Sequence, residues 1–338
     1  QLLDRARLFA ESKGQWILLA LLIGMAIYYD YPETLLKRPQ SIHNWRQSDG
    51  ASLALNYSQE GMQFFKPRTH GLYSDGYTTG YTAPSEIPIL YYFVAILYKL
   101  FGYHEYLFRA TNLLLFFLGL FYLFRLSRLI LNNTFYPVAI VVLLFSSPLL
   151  VYYANNFMPN TAGLSFTMIG WYYFYRYAAN HGTRTYQTAV LFFFLAASMK
   201  ITELSGPLIL LALMLMDRFR IMRLNLGTRK HFYGKITALL VVFMIVAGWV
   251  LYAKWYNNLH GTSQFSTFTF PIWNMKPADV DFVLHKMKVI WLNEYYLPFT
   301  LYALLFFSLV CVVFHKRVDK ILGMASIFLL IGLGAYSI

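Results

Sequence analysis

Residues 107–128 read LFRATNLLLFFLGLFYLFRLSR. A helix crosses the bilayer in about 17–25 predominantly apolar residues. The run 107–124 supplies one, closed by Arg125 and Arg128. Outward from it, similar runs occupy 15–29, 134–151, 161–175, 186–199, 203–216, 236–251, 297–314 and 321 onward. Composition agrees. The 338 residues are 58% hydrophobic and 13% charged, with mean hydropathy +0.47, against about 45–50% apolar and about 25% charged in soluble domains. So few charges cannot clothe a soluble protein of this size. The sequence therefore predicts an all-α, polytopic transmembrane helical bundle of about nine spans. An aromatic share of 19% suits lipid-facing and interfacial surface. The single cysteine, Cys311, excludes an intrachain disulfide and a cysteine-based zinc site. Starting at Gln1 and stopping at Ile338 within an apolar run, the chain is expected to be part of something longer, with a C-terminal remainder absent.

Charge sets the orientation. The run 87–101 is short and bounded by Pro88 and Gly102. If it lies in the interface, the basic clusters at Arg125/Arg128, Arg176/Arg184, 218–235 and 316–320 share the side of Arg5, Arg7 and Lys13. That gathers 16 of the 28 Lys and Arg in short inner loops, as the positive-inside rule asks. If 87–101 crosses, the densest cluster moves outside. It is therefore expected to be a juxtamembrane helix, and Lys200 to Glu203 becomes an outward hairpin turn. The net charge of +13 is read as this orienting signal, and no nucleic-acid partner is expected. Two segments of the single domain 1–338 then lie outside: a first loop, 30–106, and a second, 254–296. With the hairpin turn they hold 11 of the 15 acidic residues. The helices are nearly charge-free, whereas channels and transporters keep ionisable groups in mid-helix. Chemistry is expected at the outer surface.

The first loop contains SIHNWRQSDGASLALNYSQEG, residues 41–61. A short helix is predicted over 51–59, ending at Gly61. Asp49 would then stand at its N-terminus, where the dipole holds a carboxylate ionised, although Asp49 or Ser48 could equally be a plain N-cap. His43, Trp45, Arg46 and Gln47 crowd beside it, and Lys66 and Arg68 follow. Residues 69–88 then bring Gly, Thr and Tyr, Tyr81 among them. Such a set suits a carbohydrate and phosphate site.

The run HNWRQSDGASLALNYSQEGMQFFKP, then SEIPILYYFVAILYKLFG and LFRATNLLLFFLGLFYLFRL, resembles the GT-C glycosyltransferases of the protein mannosyltransferase and aminoarabinose transferase superfamily. Those enzymes carry an early acidic residue in the first outer loop, a juxtamembrane helix, a charged residue beside proline, and an amphipathic segment ending in Phe-Gly. Asp49, the 51–59 helix, Glu86 with Pro88, Phe101-Gly102 and then Arg109 match that order. Three positions depart from it. Asp49-Gly50 replaces an Asp-Glu pair, Ile87-Pro88 replaces paired prolines, and Asn160 stands where many relatives are acidic.

The resemblance implies transfer of a sugar from a polyprenyl phosphate to an acceptor hydroxyl, with inversion, at the outer face. That reaction needs a base, cations for the departing phosphate and an apolar groove for the isoprenoid. Asp49 is the candidate base. Arg46, Lys66, Arg68 and Lys200 are the candidate phosphate cations, with solvation as the plain alternative, or for Lys200 a pair with Glu203. Glu86 is expected to orient a cation or a sugar hydroxyl, or to partner the next helix dipole. His43, Trp45, Gln47 and Tyr81 are supporting candidates. No metal ligand or cofactor is assigned; a divalent metal is compatible with such chemistry. The expected partners are the lipid-linked sugar, an acceptor glycan, lipid or protein, and membrane lipid. The expected setting is a bacterial inner membrane with the N-terminus cytoplasmic and the site periplasmic. Two other functions compete: a polyprenyl-linked glycan polymerase or ligase, and a lipid or glycan transporter. A transporter would show pseudo-symmetric halves and broken mid-bilayer helices; neither is read in the sequence.

Overall fold

Helices account for nearly all regular structure in the computed structural model, which describes residues 2–71, 79–222, 224, 226, 231–262 and 272–293, and a few single positions after 301. In chain order they are α1 Leu2–Tyr28, α2 Tyr31–Thr34, α3 Asn44–Gln59, α4 Ile89–Phe101, α5 Glu105–Leu131, α6 Phe135–Phe145, α7 Pro148–Ala154, α8 Asn160–Asn180 and α9 Thr183–Met199. A 3₁₀ turn, Ile201–Leu204, leads to α10 Ser205–Arg218, α11 Phe232–Leu259 and α12 Pro277–Asn293. Among the described residues the β contribution is one isolated bridge, Arg68 to Tyr81.

The all-helical expectation stands. The count of nine spans is not established. Helices α5 and α11, of 27 and 28 residues, are long and apolar enough to cross a membrane. A third crossing is reached if α6 and α7 form one bent span. The predicted runs at 161–175, 186–199 and 203–216 do become α8, α9 and α10, while those at 297–314 and from 321 onward lie outside the described residues. The run 134–151 is corrected: it is two helices meeting at 76°. Pro148 has no N–H to donate and holds Ser147 extended, at φ −66° and ψ 119°.

Helix α4, 13 residues long, reaches about 20 Å, short of the roughly 30 Å hydrocarbon layer. Leu90, Tyr91, Val94 and Ala95 bury against Leu53, Ala54 and Tyr57 of α3. Phe93, Leu100 and Phe101 stay exposed on its other side.

Small residues set the helix contacts, as they do where lipid supplies no hydrophobic drive between helices. A Cβ on Gly119 of α5 would lie 2.6 Å from Cβ of Ser165 on α8, so only glycine permits that approach. Leu18 and Leu22 of α1 pack with Phe116, Leu120, Phe124, Val141 and Phe145. A second core joins α8 to α11 around Phe174, Phe193, Leu213 and Leu239. Arg109, 2% exposed on α5, fastens the first loop to this frame. Its Nε donates to Lys37 O (2.9 Å), its Nη2 to Arg38 O (3.1 Å) and its Nη1 to Asn155 O.

Candidate active site

The helix that carries the site begins earlier than its sequence suggests. His43 adopts a left-handed φ of 57°, Asn44 Oδ1 accepts the Trp45 N–H at 2.7 Å, and α3 runs from there to Gln59. Its far end is as expected: Glu60 N–H bonds Asn56 O, and Gly61 follows at φ +88°. Asp49 therefore sits in the second turn and not at the N-terminus, which removes the dipole argument for its ionisation. Gly50 does not break the helix. A Cβ there would stand 2.4 Å from the Phe157 carbonyl oxygen, so glycine lets α3 press against the 155–159 segment. A larger side chain at this position has no room.

Asp49 is 6% exposed and its backbone carbonyl accepts Ser52 Oγ at 2.9 Å. One turn earlier, Arg46 Nη2 donates to Glu86 Oε1. Tyr91 Oη donates to the same oxygen at 2.8 Å, and Ser85 Oγ to Oε2 at 3.2 Å. Burial opposes both charges. For Arg46 burial is the largest single influence, but Glu86, Tyr91 and Asp49 together outweigh it and raise the guanidinium pKa. For Glu86 burial is likewise overcome, by Arg46 and Tyr91, and its pKa falls below the ordinary range. Both groups stay charged. The charge of Asp49 reaches both Arg46 and Tyr91. Tyr91 was missed in the sequence, where nothing distinguished it among 28 tyrosines.

The other candidates divide. Lys66, Arg68 and Tyr81 gather with Asn56, Tyr57 and Glu60 around a separate cleft of about 90 Å³. There Arg68 Nη1 pairs with Glu60 Oε1 at 2.7 Å, its Nε donates to Thr79 O, and the guanidinium lies 5.6 Å over Tyr81. Tyr81 also packs on His260 at 4.9 Å. Arg68 is thus largely occupied in shaping its own loop. Gln47 is fully buried and faces away from Arg46. Its Nε2 donates to Gln40 O (2.9 Å), Ile42 O (3.2 Å) and Tyr152 Oη (2.7 Å). Trp45 is 58% exposed, and His43 sits 6.4 Å from the Tyr153 ring. Among the described residues no three His, Cys, Asp or Glu side chains converge as metal ligands would.

Lys200 ends α9, its N–H on Ala196 O at 3.1 Å. The preceding Met199 packs in the same cluster as Tyr91, and Ala197 packs with Ile87, so this end of α9 abuts the stretch of the loop that carries Glu86. The alternative pair with Glu203 does not form as a contact. Glu203 accepts Thr167 Oγ1 at 2.6 Å, and its carboxyl pKa is raised by burial, against the bond from Thr167 and the charge of Lys200.

Residues 83–249, just under half of the chain, match the model of the dolichyl-phosphate-mannose-protein mannosyltransferase family. The resemblance is to the GT-C glycosyltransferases. The matched stretch includes Glu86, Tyr91, Arg109 and Lys200 and stops short of Arg46 and Asp49. It supports a membrane glycosyltransferase, and the family implies a polyprenyl-phosphate-linked sugar together with an acceptor. No curated protein and no solved structure matches the chain.

Proposed function

We propose that this chain is an inverting glycosyltransferase that moves one sugar from a polyprenyl phosphate to an acceptor hydroxyl at the outer face of a bacterial inner membrane. The observation that carries the reading is the buried group of Arg46, Asp49, Glu86 and Tyr91, which joins α3 to the start of the family-matched segment. The acceptor oxygen attacks the anomeric carbon as the bond from that carbon to the phosphate oxygen breaks. Asp49 takes the hydroxyl proton. The polyprenyl phosphate leaves as an anion and is met by Lys200 and Arg46. Glu86 and Tyr91 position Arg46, since a guanidinium fixed on one edge presents its remaining N–H groups in a defined direction. The exposed apolar face of α4 lies along the outer leaflet, near where an isoprenoid chain would run.

The test is reconstitution of the full chain in liposomes with a radiolabelled polyprenyl-phosphate monosaccharide, followed by thin-layer analysis of products. Single-sugar transfer is expected. Transfer of an intact oligosaccharide would convert the reading to a polymerase or ligase. Movement of the labelled lipid between leaflets without transfer would convert it to a transporter, for which the bent α6–α7 pair is the structural feature in favour.

A further inference from the structure

Two arginines at the far end of α5 and α8 share one aromatic ring. Gly119 of α5 meets Ser165 of α8 and, further along both helices, Arg125 meets Tyr172, so the two run in the same direction and end on the same side. Arg125 is the first residue after the apolar run 107–124, and Arg176 the first after 161–175. Long side chains on a helix lean back toward its N-terminus, and here both do. The Arg125 guanidinium lies 4.9 Å from the Tyr172 ring centre and 5.9 Å from those of Phe121 and Tyr122. The Arg176 guanidinium lies 5.9 Å from the same Tyr172 ring. That ring is 3% exposed, whereas both arginines are exposed. Two cations are thus held back at the edge of the apolar layer.

Such a pair calls for a counter-charge. Like charges gathered on one ring repel, and among the described residues neither guanidinium pairs with a carboxylate. The ligand is therefore an anion, and the planar fork of arginine matches phosphate oxygens. The surface leading to the pair says what carries the phosphate. Leu114, Leu118, Phe121 and Arg125 follow one another at helical spacing on a single face of α5, and Leu114 and Leu118 are exposed at 69% and 43%. From Leu114 to Arg125 is about 16 Å, close to one leaflet's share of a hydrocarbon layer of roughly 30 Å. An apolar track of that length ending in paired guanidiniums fits an acyl chain below a phosphate, which a free anion would not use.

We propose that Arg125 and Arg176 clamp the headgroup phosphate of one anionic phospholipid, with an acyl chain along Leu114, Leu118 and Phe121. On the expected orientation this is a lipid of the inner leaflet. Arg125 stands about 24 Å along α5 from Arg109, so the site is separate from Arg46 and Asp49 and independent of the transferase reading. The test is native mass spectrometry of the full chain in detergent, with phosphatidylglycerol, phosphatidylcholine or both added. One phosphatidylglycerol should be retained in preference to phosphatidylcholine. Arg125→Gln and Arg176→Gln should each weaken retention about fivefold, the worth of one arginine near an anionic headgroup, and the double variant about 25-fold. Arg184→Gln, which removes the same charge from an exposed position past the end of α8, should leave retention unchanged. All these side chains are exposed, so the variants should melt like the parent. Inorganic phosphate should displace the lipid no more than chloride does at equal ionic strength, and polyprenyl phosphate should not compete. Equal retention of the two lipids, an equal loss from Arg184→Gln, or displacement by inorganic or polyprenyl phosphate overturns the site.

Discussion

The guanidinium of Arg46 and the carboxylate of Glu86, forty residues apart, meet with their side chains 19% and 8% exposed. The pair ties α3 to the segment that leads into α4. Breaking a buried pair from one side leaves an uncompensated charge.

Glu86→Gln should therefore cost about 3 kcal/mol of stability at neutral pH, at the low end for such pairs because Arg46 keeps some solvent. The sign with pH follows from the depressed carboxyl pKa. The contribution is whole above the ordinary value of 4.5 and is lost as pH falls through the lower folded value. Thermal unfolding in detergent should show parent and variant far apart at pH 7 and converging in acid below 4.5. A gap that is constant with pH would remove the ion pair as its cause.

Asp49→Asn should reduce turnover about 10²–10⁴-fold, the usual worth of a general base, while polyprenyl-phosphate binding persists. With Asp49 inside α3, the variant changes charge without disturbing a cap. Single-turnover measurements with saturating donor separate the two effects. Turnover within threefold of the parent would pass the role to Glu86 or Glu203.

Lys200→Ala should weaken donor affinity by about 10–150-fold if the ammonium meets the lipid phosphate, given about 1.5–3 kcal/mol for a charge-assisted contact. The lack of a close Glu203 contact leaves the variant with little else to disturb. Equilibrium binding of polyprenyl phosphate decides it, and unchanged affinity would return Lys200 to a solvated end of α9.

Gly50→Ala should destabilise the chain by about 1–3 kcal/mol, because the added carbon meets the backbone oxygen of Phe157 at 2.4 Å and a carbonyl in a packed segment cannot swing aside. A melting temperature equal to the parent would mean that α3 and the 155–159 segment are not pressed together. Gly50→Glu should be worse still.

For topology, a Cys311→Ser background with Trp45→Cys should label with an impermeant maleimide from outside sealed cells, and Tyr136→Cys should not. Both positions are more than half exposed. Labelling of Tyr136→Cys from outside would invert the arrangement.

Much of this was readable in the residues, and the failures have physical reasons. Gly61 marked the end of α3 because a positive φ there needs glycine. Its start was misjudged because Gly50 looks like a breaker. The demand that keeps it glycine comes from Phe157, more than a hundred residues away. Pro88 and Gly102 bounded α4 correctly. Ser147-Pro148 carried a breaking signal that the continuous hydropathy of 134–151 concealed. Arg46, Asp49 and Glu86 were chosen from their residue types; Arg46 and Glu86 do meet and Asp49 acts on Arg46 through its charge, whereas Lys66, Arg68 and Tyr81 form a separate cleft. Gln47 was placed beside Asp49, but two residues on a helix is a turn of about 200°, which points it elsewhere. The corner where Arg109, Gln47 and Asn155 come together had no local pattern at all.

The three carbonyls gathered by Arg109 were described as a fastening, and they also impose a timetable. Lys37 and Arg38 are synthesised some seventy residues before Arg109, and Asn155 forty-six after it. Chains grow from the N-terminus at about 5–20 residues per second, so the segment around Lys37 and Arg38 waits several seconds before its last anchor arrives. Nascent chains arrested near residue 150 should therefore expose 30–60 to protease, and those extended well past 160 should protect it. Protection already complete at the earlier arrest would show that the loop closes without Asn155.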